Sequence, residues 1–431
     1  MAMFPLVRRM HLVRMMLMLA CALLPVLAAQ ATQESGALSL ADAVRMAADR
    51  APRVDAGQFR VEAAQQDAIR AGRLPDPTLV AGINNLPITG SQAFNAAAGI
   101  MTMREIGMKQ VIPSHAKRAA QKQVAGTGVQ LAHANATVLR LRSKRAAANA
   151  WVALWAADKE RSLLQELRDQ AKLAVKLSKA RLAGGAGTAS AALATRADAQ
   201  TLANRIDAAN ADVAAAHAGL ERWLGKAADR ALDESPDFSR LRVPKARLLA
   251  GLDRQGPLLV WTARKEQANA SLALAKADKH PDWSVSLMYG QRIHRSDMIG
   301  IQVGVSLPLF AGNRQDRDIS ARFADRDAVR ADYRDARRAQ RQAIVQGVAI
   351  WQGWNRQIRR YRKTLLPLAA DRSHIALAQY RGGGSLEPWL EARRDEIRTR
   401  VQYAQALAAW GKAWVALAYV LPDQNLLELP Q

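Results

Sequence analysis

The sequence predicts a mainly α-helical protein with a small β part and an internal two-fold repeat. Long proline-free stretches are dominated by Ala, Leu, Arg, Lys and Gln, which are strong helix formers. Four short segments instead alternate between apolar and polar residues, as half-exposed strands do. The same landmarks recur in the same order in both halves of the chain. We therefore expect long coiled-coil helices and four β-strands in two hairpins.

The first residues have the pattern of an export signal. A basic start precedes an apolar stretch over residues 15–27, and Ala29-Gln-Ala31 fits a small-x-small cleavage site. We expect residues 1–31 to be a signal peptide that is removed after general secretion. Acylation of Cys21, as in a lipoprotein, is the alternative, but this cysteine lies inside the apolar region.

Composition and charge exclude several classes of function. Cys21 is the only cysteine, so a chain without its signal has no disulfide, zinc-thiolate site or cysteine nucleophile. The formal net charge of +24 would suggest nucleic acid in a cytosolic protein, but an exported chain meets none. After the signal, no apolar run approaches the roughly 20 residues of a spanning helix. A membrane location would therefore depend on the strands.

The two halves of the chain share a series of landmarks, which predicts two structural repeats. The matching pairs are Pro75-Asp76 with Pro281-Asp282, Val111-Ile-Pro113 with Ser306-Leu-Pro308, Trp151 and Trp155 with Trp351 and Trp354, and Gly184-Gly185 with Gly382-Gly383-Gly384. Each half reads as helix, β-hairpin, very long helix, glycine turn and helix. The predicted repeats are residues 32–230 and 256–431, joined by a linker over 231–255.

The elements of the first repeat follow from local signals. Ser39-Leu-Ala-Asp42 is a capping box that begins the first helix. The hairpin covers about residues 78–112, with a longer loop than its counterpart in the second repeat. A helix from His115 to about Leu182 would reach on the order of 100 Å. After the glycine turn, apolar residues from Leu202 to Trp223 follow a heptad spacing that predicts a coiled-coil seam.

The second hairpin, at about residues 283–307, is the most regular alternating segment. Its polar face carries Ser, Gly and Gln, and its apolar face is predicted to contact lipid, as in an outer membrane barrel. The predicted lipid-facing residues are Trp283, Val285, Leu287, Tyr289, Ile301, Val303, Val305 and Leu307. A second very long helix from Arg314 to Tyr380 should bend near Pro367.

Two hairpins supply too few strands for a closed barrel. A membrane barrel needs at least about eight strands, because open edges cannot be hydrated in lipid. Two copies of the chain would give eight strands and three copies would give twelve. The sequence therefore predicts an oligomer and leaves its number of subunits open.

At this point the chain resembles the TolC-like outer membrane efflux family. The resemblance lies in the Leu38-Ser-Leu-Ala-Asp42 start, both Pro-Asp steps, Pro308-Leu-Phe-Ala-Gly-Asn-Arg314 and both glycine turns. Leu74-Pro-Asp-Pro77, Ile112-Pro113 and Lys117-Arg118 resemble the branch that serves heavy-metal exporters. The family implies a homotrimer with a shared 12-stranded barrel above an α-helical coiled-coil tunnel. It also implies outer membrane lipid, a periplasmic adaptor and an inner membrane pump as partners.

The family also implies two sets of site residues near the glycine turns. The tips expected to contact the adaptor are Gly184, Gly185, Gly187 and Thr188, and Gly382, Gly383, Gly384, Ser385 and Leu386. The candidates for an acidic periplasmic aperture are Asp198, Glu387, Glu391 and Asp395. The alternatives are that the tips are simply good turns, and that each acid pairs with a neighbour such as Arg394 or Arg398.

Other polar patterns give no catalytic or metal site. Five arginines recur every fourth residue from Arg322 to Arg338, and we expect Asp318 to pair with Arg322 and Asp335 with Arg338. This pattern favours a solvated helix face over an anion-attracting lining of the tunnel or a site for lipid phosphates. The histidines are scattered without metal-ligand spacing, and no catalytic motif is present. We expect no enzyme activity, cofactor, metal or nucleic acid. A periplasmic coiled-coil adaptor and a structural protein that spans the envelope are the rival functions.

Overall fold

Long helices and one four-stranded antiparallel sheet form the chain, as the sequence predicts. The computed structural model describes residues 36–97, 100–293 and 295–422. The predicted signal peptide over residues 1–31, including Cys21, lies outside the described residues.

The first half follows the predicted order of elements. Ser39 accepts a hydrogen bond from the Asp42 backbone N–H and so caps the first helix, as the capping box predicts. The elements are α1 Leu40–Arg50, α2 Pro52–Arg70, β1 Thr78–Asn84, β2 Met103–Ile112, α3 His115–Gln165, α4 Arg168–Ala183 and α5 Ala189–Leu224.

The second half repeats this order, with a shorter first helix. Its elements are α6 Lys245–Ala250, α7 Gly256–Ala277, β3 Trp283–Gln291, β4 Met298–Val305, α8 Gln315–Arg360, α9 Leu366–Arg381 and α10 Glu387–Ala418. Short 3₁₀ turns occupy Gly225–Asp229, Leu252–Arg254 and Ala311–Asn313. Leu307, predicted as a strand residue, lies two residues beyond the end of β4.

Both very long helices are interrupted at a similar level. In the second half, a π-helical turn over Tyr361–Leu365 precedes Pro367, so the α-helix is interrupted where the proline predicts a bend or break. The uninterrupted helix predicted from His115 to Leu182 is wrong, because α3 ends at Gln165 and α4 begins at Arg168. No proline marks this first break. Leu167 is instead buried there, and its carbonyl accepts a weak contact of 3.5 Å from the Arg393 guanidinium.

The four strands form a single sheet in the order β1-β2-β3-β4. Each neighbouring pair is antiparallel, so β2 and β3 join the two hairpins into one surface. In the β3–β4 pair, Trp283 lies opposite Val305 and Leu287 lies opposite Ile301. The alternating residues of the two strands therefore share faces, as their pattern predicts.

Tryptophans hold the two halves together in the main core. Trp151 is completely buried and its indole Nε1 donates to the Leu38 carbonyl at 2.9 Å. Trp351, its counterpart, donates to the Phe238 carbonyl at 2.8 Å. Each donor follows its acceptor residue by 113 positions, so the same contact occurs once in each half. The Phe238 ring contacts Trp410 and Trp414, with ring centroids 5.4 and 5.3 Å apart.

The segment predicted as a linker, residues 231–255, packs into the protein. Leu232 forms a parallel bridge with Leu38, and Phe238 and Leu248 are buried. Helix α3 is the centre of the packing and contacts α1, α2, α5, α7 and α10. Of the helices within the described ranges, none is both long and apolar enough to cross a membrane.

Trp151 provides a test of this core. We expect Trp151→Ala to lower the free energy of unfolding by about 3–5 kcal/mol, since it leaves a large cavity and removes the donor to the Leu38 carbonyl. Trp283→Ala is the control, because Trp283 is half exposed on the sheet and the change should cost less than about 1 kcal/mol. Denaturation of the purified protein, followed by circular dichroism, measures both. Equal losses would contradict the central role of Trp151.

Candidate functional site

The sheet has one apolar face, and that face is exposed. Trp283, Leu287 and Ile301 expose 50, 54 and 74% of their surface, whereas Ser284 and Ser286 on the other face are half-buried. The register adds Ile106 and Met108 of β2, and Leu79 of β1, to the apolar face. A soluble sheet has the opposite arrangement, with its apolar side covered. Seven of the eight residues that the sequence predicts as lipid-facing lie on the apolar side of β3 and β4, and Leu307, beyond the end of β4, is exposed as well.

A cluster of charges fixes the junction between the sheet and α3. Asp282 accepts a hydrogen bond from the Ser114 backbone N–H at 2.9 Å, and Ser114 is the N-cap of α3. The ammonium group of Lys117 lies 3.2 Å from Asp282 and 3.1 Å from Asp278. The Pro-Asp step is a landmark of the repeat, but its place in the sequence does not predict this contact. The position of Asp282 directly before the strand is the signal that could have indicated it.

The pKa of Lys117 reflects this cluster. Burial acts to lower the pKa, but the carboxylates of Asp278 and Asp282 outweigh it, so the pKa is raised above the ordinary value of lysine. A raised lysine pKa stabilises the folded state fully at pH values below the ordinary pKa and loses this contribution as pH rises through the raised one. The junction is therefore intact at neutral pH.

The structure brings the two predicted helix tips side by side. Gly185 and Gly383 have φ values of +71° and +100°, the conformation that glycine adopts at low cost. The Arg181 guanidinium donates to the Gly384 carbonyl at 2.9 Å and so links the two turns. An open groove of about 240 Å³ lies between them, lined in part by Gly187, Ser385 and Leu386.

The caps of the two tips differ. Thr188 accepts from the Ala191 backbone N–H at 3.1 Å and begins α5, as its position predicts. Ser385 does not cap α10 in the same way, since Leu386 occupies the N-cap without a side-chain hydrogen bond. Leu386 is instead buried in an apolar cluster with Tyr380 and Trp389, whose rings stack at 5.8 Å. Apolar packing therefore stabilises the second tip, whereas the hydroxyl of Thr188 stabilises the first.

The four acidic aperture candidates divide into two pairs. Asp198 binds Arg394 with its nearest atoms 2.8 Å apart, and this contact raises the pKa of Arg394. Asp395 pairs with Arg372 and Arg398, each at 3.0 Å. Glu387 and Glu391 are exposed, and neither has an ion pair in the part of the chain that the structure describes. Glu387 and Glu391 therefore interact with Arg394 only at longer range, without a direct ion pair.

A buried ion network beside the tips was not foreseen. Arg393 and Glu396 lie 2.6 Å apart and are almost completely buried, and Glu396 also binds Arg400 at 2.8 Å. Arg400 reaches Glu166 at 2.9 Å, at the break between α3 and α4. Burial lowers the pKa of Arg393, although Glu396 acts in the opposite direction. The i, i+3 spacing of Arg393 and Glu396 allowed a pair, but it did not show that the pair is buried.

The arginine ladder of α8 is partly paired along the helix. Arg322 contacts Asp318 at 3.4 Å, as predicted, and also Asp325 at 3.2 Å. Arg326 and Arg330 share Asp327. The expected pair of Asp335 with Arg338 does not occur among the described contacts. These exposed pairs contribute little to stability. Among the described residues, no group of three or more histidines, cysteines and acids could hold a metal ion.

Comparisons with known proteins identify the class of protein. The fold matches a membrane protein from Pseudomonas aeruginosa with a TM-score of 0.76 and 18% identity, over 89% of this chain and 90% of that one. It matches the outer membrane protein VceC of Vibrio cholerae with a TM-score of 0.71 and 19% identity, over 88% and 94%. For the CmeC outer membrane channel of Campylobacter jejuni these values are 0.71, 14%, 88% and 84%. A sequence search of curated proteins found no match.

The chain thus has the fold of outer membrane channels. Over residues 252–421 it matches the family model described as outer membrane efflux protein. The predicted resemblance to TolC-like proteins is confirmed. The family model and these folds agree with the predicted class of outer membrane channels. The matches do not support the rival functions of an adaptor or a structural coiled coil.

The second tip gives a test of the turn geometry. We expect Gly383→Ala to strain the turn by about 1–3 kcal/mol, because an alanine rarely adopts a φ of +100°. Gly382→Ala is the matched control, since its φ is −77° and an added Cβ would make only ordinary contacts. Trypsin should cut the first variant faster after the exposed Arg381 and leave the second like the wild type. Equal cutting of both variants would contradict the turn geometry.

Proposed function

We propose that three copies of this chain form a passive duct, the outer membrane component of a tripartite efflux system. The observation that carries the proposal is the exposed apolar face of the sheet. The sheet is joined directly to helices that are much longer than a membrane is thick. Three copies supply twelve strands, which leaves room for a lumen, whereas eight strands give a filled interior. The helices then continue the lumen as a tunnel through the periplasm.

The dimensions of the helices support a periplasmic tunnel. Helix α3 has 51 residues and α8 has 46, so at 1.5 Å per residue each is about 70–75 Å long. Helices α4 and α9 continue from α3 and α8 towards the tips. The tips therefore lie far from the sheet, at the end where a periplasmic adaptor and an inner membrane pump would meet the duct.

The paired tips are the proposed contact surface for the adaptor. Both turns are exposed, they lie side by side, and the groove between them contains residues of both repeats. Arg181 supports this surface twice, because its guanidinium binds the Gly384 carbonyl and lies 4.9 Å from the Tyr380 ring centre. An adaptor helix could therefore contact both repeats at once.

The acidic aperture is proposed to depend on Glu387 and Glu391. Asp198 and Asp395 form direct ion pairs with arginines, whereas these two glutamates form none in the described part of the chain and interact with Arg394 only at longer range. Three copies would place six such carboxylates around the inner end. Acidic rings of this kind favour cations. The class of cargo, metal cations or drugs, stays a prediction, as does the heavy-metal branch.

Planar bilayers test the duct itself. The purified protein should insert and give discrete conductance steps in the absence of any energy source. The absence of conductance from a folded trimer would overturn the proposal, as would recovery of the protein in the soluble fraction without detergent.

Ion selectivity tests the aperture. We expect Glu387→Gln together with Glu391→Gln to reduce the preference for cations over anions, because six carboxylates are removed from the trimer. The measurement is the reversal potential in a salt gradient. Glu234→Gln, at an exposed position in the segment between the repeats, is the control with the same chemical change. An unchanged reversal potential in the double variant would exclude these glutamates from the aperture.

A further inference from the structure

The sheet of a single copy has two open edges. Strands β1 and β4 are the outer strands, so each leaves one row of backbone N–H and C=O groups without a strand partner among the described residues. Both edges border the exposed apolar face, where water cannot satisfy these groups once lipid covers the face. An edge of this kind requires another strand.

The two hairpins follow a single rule of register. The Pro-Asp step before β1 precedes its counterpart by 206 residues, and Pro113 after β2 precedes Pro308 by 195. The first offset applies to residues of β1 and the second to residues of β2. With them, the pair Thr78–Lys109 corresponds to Ser284–Gly304, and the pair Asn84–Met103 corresponds to Gly290–Met298. Both results are observed pairs of the second hairpin. The repeat therefore predicts strand register to the residue.

The same rule gives the register of the missing contact. Strand β2 corresponds to β4, and β3 corresponds to β1, so the observed β2–β3 seam predicts a β4–β1 seam between two copies. The observed pairs Gln110–Val285, Met108–Leu287 and Ile106–Tyr289 become Val305–Leu79, Val303–Ala81 and Ile301–Ile83. All six residues lie on the apolar face. A register shifted by one residue would not keep them there.

The charged junction of Asp282 with Lys117 has a counterpart in the repeat that forms no such contact within the described part of a single copy. Asp282 caps α3 and binds Lys117, and the repeat relates Asp282 to Asp76. Trp151 and Trp351 are equivalent landmarks, so the two long helices are offset by 200 residues. Lys117 therefore corresponds to Arg317. Asp76 and Arg317 are both exposed, and neither has an ion pair in the described ranges of a single copy.

In the proposed duct, β4 of one copy pairs with β1 of the next. We propose that this seam has the register given above, and that Asp76 of the next copy binds Arg317 at the start of α8. The proposal rests on the proposed oligomeric duct and specifies its interface. The partner is a second copy of this chain, because only the repeat supplies both the matching edge and the matching charge.

Cysteine pairs on the polar face test the register. Gly82→Cys with Gln302→Cys places two thiols opposite each other across the proposed seam, and an added Cβ at Gly82 meets open space. Oxidation should join copies into covalent dimers and trimers on a denaturing gel. Gly82→Cys with Gly300→Cys or Gly304→Cys shifts the register by two residues, beyond the reach of a disulfide, and should not cross-link efficiently.

Two controls make the cross-linking result decisive. Lys109→Cys with Ser286→Cys lies opposite across the observed β2–β3 seam and should form a disulfide within one chain. Each single variant should give no ladder of covalent copies. Cys21 is the only native cysteine and falls in the predicted signal peptide, so the mature chain should add no competing thiol.

A charge exchange tests the proposed pair. Asp76→Lys should lower the temperature at which the oligomer dissociates in mild detergent, and Asp76→Lys with Arg317→Glu should restore part of the loss. Glu234→Lys, the same charge change in the segment between the repeats, should leave this temperature unchanged. Failure of the exchange to restore stability, together with a loss from Asp76→Lys alone, would overturn the pair.

The outcomes separate this inference from the proposed function. A trimer that cross-links at residue 300 or 304 instead of 302 overturns the register and leaves the duct intact. A chain that is monomeric by native mass spectrometry, and that forms no intermolecular cross-link at any of these positions, overturns both.

Discussion

The exposed apolar face of the sheet is the constraint on which the rest of the structure depends. Apolar residues of all four strands share this face, so the sheet requires a medium without water. In such a medium an unpaired backbone N–H or C=O group costs several kcal/mol, and the open edges of β1 and β4 become intolerable. A single apolar surface therefore determines both the location of the chain and its need for further copies.

The helical part solves a different problem, which is to transmit the geometry of the sheet to the distant tips. Helix α3 packs against helices of both halves, and the Trp151 and Trp351 indoles tie each half to backbone carbonyls near the centre. Asp282 and Lys117 fix the angle at which α3 leaves the sheet. Near the tips, Arg393 and Glu396 form a buried ion pair that is costly to break. Arg393 also contacts the Leu167 carbonyl, so it holds α10 against the break between α3 and α4. These contacts keep the long helices in register along their length.

Sequence patterns predicted those features that depend on neighbouring residues. The bounds of β1 and β2, the cap at Ser39 and the bend before Pro367 follow from alternation, capping chemistry and a missing N–H group, which are local causes. The break at Leu167 was missed because it depends on packing and on Arg393, far away in the sequence. For the four acids near the tips, the alternative of pairing with Arg394 or Arg398 holds for Asp198 and Asp395, but the sequence did not predict which acid binds which arginine. Ion pairing between distant helices has no periodicity to detect.

The two repeats differ in length where each hairpin joins its long helix, and this difference has a physical meaning. Between Pro113 and α3 there is one residue, whereas six residues separate Pro308 from α8. This segment contains Leu309 and Phe310, which are 76 and 77% exposed. The junction within the chain is short and charged because Asp282 of the same polypeptide supports it. The counterpart at α8 has no such support in a single copy, and the proposed duct places it where the next copy begins. Additional apolar surface there compensates for a contact that must form between separate molecules, since association loses freedom that a covalent chain has already lost.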